Sequence, residues 1–111
     1  MIFEWNTNKA ISNQKKHGIS FEEAQTSFSD DNALWIDDPD HSEDEDRFIL
    51  LGLSSRSKML VVCHCYREND EVIRIISARK ASRKESKTYR NRKWEKSIIL
   101  VKLKKTHMQK Q

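Results

Sequence analysis

The chain has 111 residues, of which 36% are hydrophobic and 34% are charged. This length suits one domain and excludes a two-domain enzyme with a cofactor cleft between its halves. No apolar stretch approaches the ~18–20 residues of a membrane span, and the N-terminus lacks the pattern of a secretory signal, so we expect a cytoplasmic protein without a membrane partner.

Charge is distributed unevenly along the chain. Residues 1–78 hold 8 Lys or Arg and 15 Asp or Glu, whereas residues 79–111 hold 13 Lys or Arg and 2 Asp or Glu. The net charge of +4 therefore hides a strongly basic C-terminal third. Such a segment is typical of a protein that binds a polyanion or an acidic partner, although two halves that neutralise each other, or a solvated tail, would give the same counts.

A short strand and two helices are predicted at the N-terminus. The first five residues alternate weakly and indicate the strand. The first helix begins at Asn6 or Thr7 and ends at Gly18, because glycine readily adopts the left-handed conformation that follows a helix. The second helix begins at the capping box Ser20-x-x-Glu23.

Four more strands and a third helix are predicted after these. A strand over 33–36 precedes an acidic loop, and richer strands cover 47–53, 59–66 and 72–78. The turns between the last three strands are short, which requires antiparallel neighbours. A second capping box, Ser82-x-x-Glu85, begins the third helix.

The order of these elements indicates an α+β fold with an antiparallel meander of strands. We assign residues 1–94 to a single domain and residues 95–111 to a basic C-terminal extension. We expect that extension to be helical or partly disordered, although the apolar run within it would also serve as a strand.

Polar side chains within the predicted strands are the candidates for chemistry, because alternation along a strand fixes the face of each residue. We expect the sheet to present one set of side chains: His64, Arg74 and Arg79, with Arg47 at one end and Arg83 just beyond. A guanidinium binds two phosphate oxygens and stays charged, and a histidine moves a proton near neutrality. A structural histidine and solvated or ion-paired arginines are the alternative.

Neither a metal site nor a cofactor is expected. Cys63 and Cys65 supply only two thiols, whereas structural zinc takes four ligands. The two glycines of the chain are too few for a glycine-rich phosphate loop. The residues alone therefore indicate a small α+β domain with a basic end, suited to binding nucleic acid.

Three segments together resemble the BrnT family, the toxin half of a bacterial type II toxin–antitoxin pair. The first is Lys16-His17-Gly18-Ile19-Ser20-Phe21-Glu22-Glu23-Ala24. The second runs from Asp37-Asp38-Pro39-Asp40-His41-Ser42 to Glu45-Asp46-Arg47-Phe48 and Gly52. The third is Arg74-Ile75-Ile76-Ser77-Ala78-Arg79-Lys80-Ala81 with Arg83, Glu85 and Tyr89. The resemblance covers about residues 2–90.

The resemblance implies a ribonuclease with a RelE-like fold, which has two N-terminal helices, an antiparallel sheet and a C-terminal helix. It also implies a BrnA-like antitoxin partner, a ribbon-helix-helix protein that binds DNA and blocks the toxin. Contact with DNA would then occur only through the antitoxin complex.

The activity implied by the resemblance is metal-independent RNA cleavage, in which the 2′-hydroxyl attacks the adjacent phosphorus. The expected catalytic residues are Arg47, His64, Arg74 and Arg79. The expected RNA-binding residues are Lys16, His17, Lys80 and Arg83. His64 or His17 would handle a proton, with Glu45 as a weaker base candidate. Lys16 and His17 match the family motif, but they also suit the C-terminal end of a helix.

Three functions remain to be distinguished. The first is a toxin endoribonuclease that inhibits translation and growth. The second is a non-catalytic nucleic-acid-binding module, which would bind with a steep salt dependence and leave RNA intact. The third is a protein that has lost ribonuclease activity and retains only antitoxin binding.

Overall fold

The computed structural model describes residues 1–37 and 47–92. The acidic segment 38–46, which includes Glu45, and the residues from 93 to 111 lie outside the described residues. The strands are β1 (Ile2–Glu4), β2 (Leu34–Asp37), β3 (Arg47–Leu53), β4 (Met59–Arg67) and β5 (Val72–Lys80). The helices are α1 (Thr7–His17), α2 (Phe21–Thr26), which continues into a 3-10 turn over Ser27–Ser29, and α3 (Arg83–Arg90).

The five strands form one mixed sheet in the order β1-β5-β4-β3-β2. Each neighbouring pair from β2 to β5 is antiparallel, whereas β1 lies parallel to β5 at the edge of the sheet. The predicted α+β class is confirmed. The prediction of a wholly antiparallel sheet is wrong, because β1 and β5 are joined through two helices and three strands, and no tight turn imposes an antiparallel pairing on them.

Side-chain caps fix the starts of the three helices where the sequence predicts them. The Asn6 side chain accepts from the backbone of Lys9 at 3.0 Å, and Gly18 ends α1 with φ of 72°. The Ser20 hydroxyl accepts from the Glu23 backbone at 3.0 Å. The capping box at Ser82 is complete, so α3 begins with its first backbone N–H groups satisfied.

The main core lies between the sheet and the helices α1 and α2. Its fully buried members include Ile19 and Phe21 from the helical side and Leu50, Leu60 and Val62 from the sheet. Burial of each such side chain contributes roughly 1.5–3 kcal/mol. This face of the sheet is therefore closed to solvent, and we call it the helix-covered face.

The opposite face carries a smaller apolar cluster at one end. Leu34, Leu51 and Val61 pack there beneath Ala81 and Tyr89, so α3 lies across this end of the sheet. The Tyr89 hydroxyl donates to Asp30 Oδ2 at 2.7 Å and ties α3 to the chain before β2. The candidate site lies on this same face and begins directly beside the α3 cluster.

Candidate functional site

A β-bulge in β5 determines which side chains share the face opposite α1 and α2. Cys65 pairs with Arg74 and Val61 pairs with Arg79, so four residue steps along β4 correspond to five along β5. In a regular strand, residues five apart point to opposite faces. The extra residue of the bulge brings Arg74 and Arg79 onto the same face.

Arg47 joins the same face from the neighbouring strand. In β3 it pairs with Cys65, which in turn pairs with Arg74, so Arg47 and Arg74 lie in one row across the sheet. Arg79 lies about 13 Å further along, at ~3.3 Å per residue of strand. The structure thus brings the three predicted arginines onto one surface, which we call the arginine face.

The Arg79 guanidinium is oriented by Glu85 of α3. Its Nη1 and Nη2 donate to the two Glu85 carboxylate oxygens at 2.8 and 2.9 Å. The hydrogen bond from Arg79 lowers the pKa of Glu85 to about 2, and the same bond raises the pKa of Arg79. Both groups are therefore charged at neutral pH, and Glu85 is a poor candidate for a proton acceptor.

Arg74 forms a second ion pair at the other end of the arginine face. Its Nη1 donates to Oε2 of Glu4 in β1, and the side chain keeps 30% of its exposure. This pairing follows from the parallel register, which sets Glu4 beside Arg74. Each of these two arginines is thus partly neutralised by one carboxylate while its side chain remains accessible from solvent.

His64 lies on the opposite, helix-covered face. Its side chain is fully buried, and the rings of Phe28 and Trp35 lie 4.8 and 5.2 Å from its own. Burial lowers the pKa of His64 to about 4, and Nδ1 lies 3.2 Å from the Val62 carbonyl oxygen, to which the neutral ring donates.

The expectation that the sheet presents His64 together with Arg74 and Arg79 is therefore wrong. Alternation places His64 on the same face as Leu60 and Val62, and that is the face which the helices cover. A sealed, neutral imidazole cannot exchange protons with a substrate on the arginine face, and we remove His64 from the candidate site.

Lys16 and His17 line a groove between α1 and the bulged part of β5, with a volume of about 340 Å³. Lys16 is exposed and His17 is half-buried. The other lining residues are Asn8, Lys9, Ser12, Asn13, Ile76 and Ser77. Ser77 pairs with Cys63 and lies on the arginine face, so this α1–β5 groove adjoins that face at Ser77.

The two remaining basic candidates lie where β5 passes into α3. Lys80 and Arg83 are both exposed there. Lys80 pairs with Leu60, which places it on the opposite face of the sheet from Arg79, whereas Arg83 begins α3. The structure therefore does not bring Lys80 onto the arginine face, whereas the α1–β5 groove adjoins that face along β5.

Cys63 is half-buried and Cys65 is buried, and neither forms a disulfide bond with another described residue. Within residues 1–37 and 47–92, no three His, Cys, Asp or Glu side chains are grouped so that they could bind a metal ion. In the same residues, no helix is both long and apolar enough to cross a membrane.

A family model described as the ribonuclease toxin BrnT of type II toxin–antitoxin systems matches residues 5–85. The chain belongs to the BrnT family. The crystal structure of the Brucella abortus ribonuclease toxin BrnT is similar, with a TM-score of 0.55 and 21% identity over 75% of this chain and all of that one. That likeness shows a shared fold. No curated protein sequence matches the chain.

The match to the BrnT family includes every described residue of the predicted site, from Lys16 to Arg83. Membership of a type II toxin–antitoxin family implies an antitoxin partner for this chain. The match ends at Glu85, so the rest of α3 lies beyond it.

Asn13 also lines the α1–β5 groove, and the sequence did not predict it as a residue of the candidate site. Its side-chain amide is buried and bonds both the N–H and the carbonyl of Ala78, at 3.0 and 2.8 Å, and the carbonyl of Ile19 at 3.0 Å. The amide thus substitutes for a strand neighbour where β5 extends past the end of β1. A polar residue three positions after the inward-facing Ala10 was the available signal.

Proposed function

We propose that this BrnT family protein is an endoribonuclease whose substrate strand crosses the arginine face and enters the α1–β5 groove. The observation that carries the proposal is the continuity of the two surfaces at Ser77, which lies on the arginine face by its register and also lines the groove. Guanidinium and ammonium groups bind phosphate oxygens, so one backbone would contact Arg74 or Arg79 and then Lys16.

The proposed reaction is metal-independent cleavage through attack of the 2′-hydroxyl on the adjacent phosphorus. Arg79 and Arg74 would stabilise the charge that develops on the phosphate, with Arg47 beside them. His17 would take or return the proton, since it lines the groove whereas His64 is sealed in the core. Lys80 and Arg83 would guide the strand at the α3 end.

The proposed partner is a BrnA-like antitoxin of the ribbon-helix-helix class, through which alone the protein would contact DNA. The RelE-like relationship of the fold likewise remains part of the proposal. Cleavage of cellular RNA by the free toxin would inhibit translation and growth, and the antitoxin would relieve that inhibition.

Purified protein, freed of antitoxin, tests the reaction on a labelled RNA in the presence of EDTA. We expect products that end in a 2′,3′-cyclic phosphate and a 5′-hydroxyl. A 2′-O-methyl RNA of the same sequence should stay intact, because its nucleophile is blocked. Intact RNA with the wild-type protein, together with harmless expression in cells, would overturn the activity.

Cleavage that EDTA abolishes would overturn metal independence alone. His17→Ala tests the proton-transfer role, with Lys15→Ala as the matched change on the same helix turn, where the side chain is exposed. We expect the first variant to lose cleavage and the second to keep it.

A non-catalytic nucleic-acid-binding module is the second candidate. The exposed cations Lys80 and Arg83 favour it, because exposed positive charge binds a nucleic-acid backbone without any catalytic group. Equal affinity for RNA and DNA without cleavage would support this reading, as would binding whose strength falls steeply with salt. Tight antitoxin binding without growth arrest would indicate instead that only the partner interaction survives.

A further inference from the structure

Glu85 contacts two different parts of the molecule at once. Its carboxylate accepts from both terminal nitrogens of Arg79, at 2.8 and 2.9 Å. Its Oε1 also accepts from the Ser82 backbone N–H at 2.7 Å, which closes the capping box of α3. Glu85 thereby joins the first turn of α3 to a guanidinium on the arginine face.

Some N–H donors of Arg79 are bound by neither Glu85 nor Lys80. A guanidinium has five N–H groups in a fixed plane. Nη1 uses its two on Glu85 and on the Lys80 carbonyl, the latter at 3.3 Å, and Nη2 uses one on Glu85. Nε–H and the second Nη2–H have no partner among the described residues. These two donors lie side by side on one edge of the plane, and they match two oxygens of a phosphate.

We propose that Glu85 is a positioning residue, which fixes the Arg79 guanidinium so that its Nε–Nη2 edge is presented to an RNA phosphate. The inference rests on the proposed function and deepens it. Glu85 itself would not touch the substrate. It removes the rotational freedom of a long side chain that is 45% exposed and would otherwise sample many rotamers.

The proposed role of Glu85 has opposite effects on RNA binding and on the rate of cleavage. A carboxylate beside Arg79 reduces the positive charge that the RNA meets, so Glu85 weakens binding while it improves orientation. Removal of its charge should therefore raise affinity and lower the rate of cleavage. A residue that only capped α3 would lower both through loss of folded protein, and a residue that only competed with RNA for Arg79 would, when neutralised, raise both.

Glu85→Gln and Ser82→Ala form a matched pair of variants. The glutamine side chain would retain the shape and an oxygen for the Ser82 N–H, but its NH₂ group cannot accept from Arg79. Ser82→Ala removes the hydroxyl that accepts from the Glu85 backbone at 3.1 Å and leaves the Arg79 contact in place. The second variant thus weakens the helix start without disturbing the guanidinium.

The first measurement compares single-turnover cleavage with affinity for a 2′-O-methyl RNA, which binds without being cut. For Glu85→Gln we expect a rate at least about tenfold lower and an affinity equal to or above wild type. For Ser82→Ala we expect the wild-type rate at temperatures where it is folded. Faster cleavage by Glu85→Gln, or parallel losses in both variants that follow their melting temperatures, would overturn the proposal.

The second measurement is independent of cleavage and therefore separates this inference from the proposed function. The Nε–H cross-peak of Arg79 in a ¹⁵N–¹H spectrum, assigned by its absence in Arg79→Lys, should be sharp in wild type and in Ser82→Ala. It should be broadened in Glu85→Gln, and 2′-O-methyl RNA should shift it in wild type.

The two proposals then fail separately. If wild type cleaves no RNA but this cross-peak behaves as expected, the proposed activity is overturned and the positioning role stands. A cross-peak in Glu85→Gln that is as sharp as in wild type would overturn the positioning role alone.

Discussion

The two faces of the sheet differ in how far they bury their ionisable side chains and in whether those side chains carry charge. On the helix-covered face, His64 is fully buried among aromatic rings, and burial lowers its pKa to about 4. On the arginine face, Arg74 and Arg79 keep their charge beside Glu4 and Glu85 and stay partly exposed. Histidine responds to desolvation by releasing its proton, whereas a guanidinium does not. Of these three side chains, the two arginines and not His64 therefore offer positive charge to a phosphate at neutral pH.

The largest effect is expected on the arginine face itself. Arg79→Ala should lower the rate of RNA cleavage about 10²–10³-fold, because it removes a donor to the charge that develops on the phosphate. The melting temperature should change little, since the side chain is partly exposed. Arg56→Ala, which removes an exposed cation from the β3–β4 turn, is the matched control and should cleave normally. Equal rates for the two variants would contradict a functional difference between the sites.

The helix-covered face predicts an effect on stability at low pH. The folded-state pKa of His64, about 4, lies below the usual ~6.5, so the unfolded chain binds the proton more readily. The stability gained by keeping His64 neutral is complete above about pH 6.5 and is lost as the pH falls toward 4. The loss at pH 4 amounts to about 3 kcal/mol.

His64→Leu isolates this effect, because the other acid-titrating groups remain. Urea unfolding at pH 7 and pH 4 should show a smaller decrease in the free energy of unfolding for the variant than for wild type. RNA cleavage at pH 7 by folded His64→Leu should equal that of wild type. An identical pH dependence in the two proteins would show that the fold does not lower the pKa of His64. Loss of cleavage in the folded variant would show that His64 takes part in the reaction.

Asn13 stabilises the edge of β5 at Ala78 through hydrogen bonds of its side-chain amide. Asn13→Ala should lower the free energy of unfolding by about 2–3 kcal/mol, because it leaves the buried N–H and carbonyl of Ala78 and the carbonyl of Ile19 without their partner. Gln14→Ala, an exposed neighbour on α1, is the control and should be nearly neutral. Urea midpoints that coincide for the two variants would show that water replaces the Asn13 amide without cost.

Much of the fold follows from local signals in the sequence. The caps at Asn6, Ser20 and Ser82 and the glycine at position 18 predict the ends of the helices, because those residues satisfy backbone groups within a few positions. Such signals do not depend on the rest of the molecule. The strands follow similarly from apolar runs between polar turns.

The site depends on information that no local pattern contains. Strict alternation separates Arg74 from Arg79, and only the bulge in β5 reunites them. Alternation also groups His64 with Val62, but it does not say which face the helices cover, and so it could not reveal that the histidine is buried. The parallel pairing of β1, which brings Glu4 to Arg74, depends equally on contacts between distant segments.

The smallest effect is expected at the hydrogen bond between Tyr89 of α3 and Asp30. Burial raises the pKa of Asp30, but hydrogen bonds from the Leu53 N–H, the Tyr89 hydroxyl and the Asn32 N–H outweigh burial and lower it. Tyr89→Phe removes one of these bonds and should cost about 1 kcal/mol of unfolding free energy, while Asp30 keeps the Leu53 N–H at 2.8 Å.

The cleavage rate of Tyr89→Phe distinguishes two ways in which α3 could serve Arg79. If the carboxylate of Glu85 alone orients the guanidinium, Tyr89→Phe should cleave at the wild-type rate despite its lower stability. The control is Thr88→Ala, which should also cleave at that rate, because the Thr88 hydroxyl bonds within α3, to the Lys84 carbonyl. If cleavage falls in Tyr89→Phe but not in Thr88→Ala, the docking of the whole helix sets the orientation of Arg79. Because the Tyr89 hydroxyl attaches α3 to Asp30 and Glu85 attaches it to Arg79 in β5, the two contributions separate in these variants.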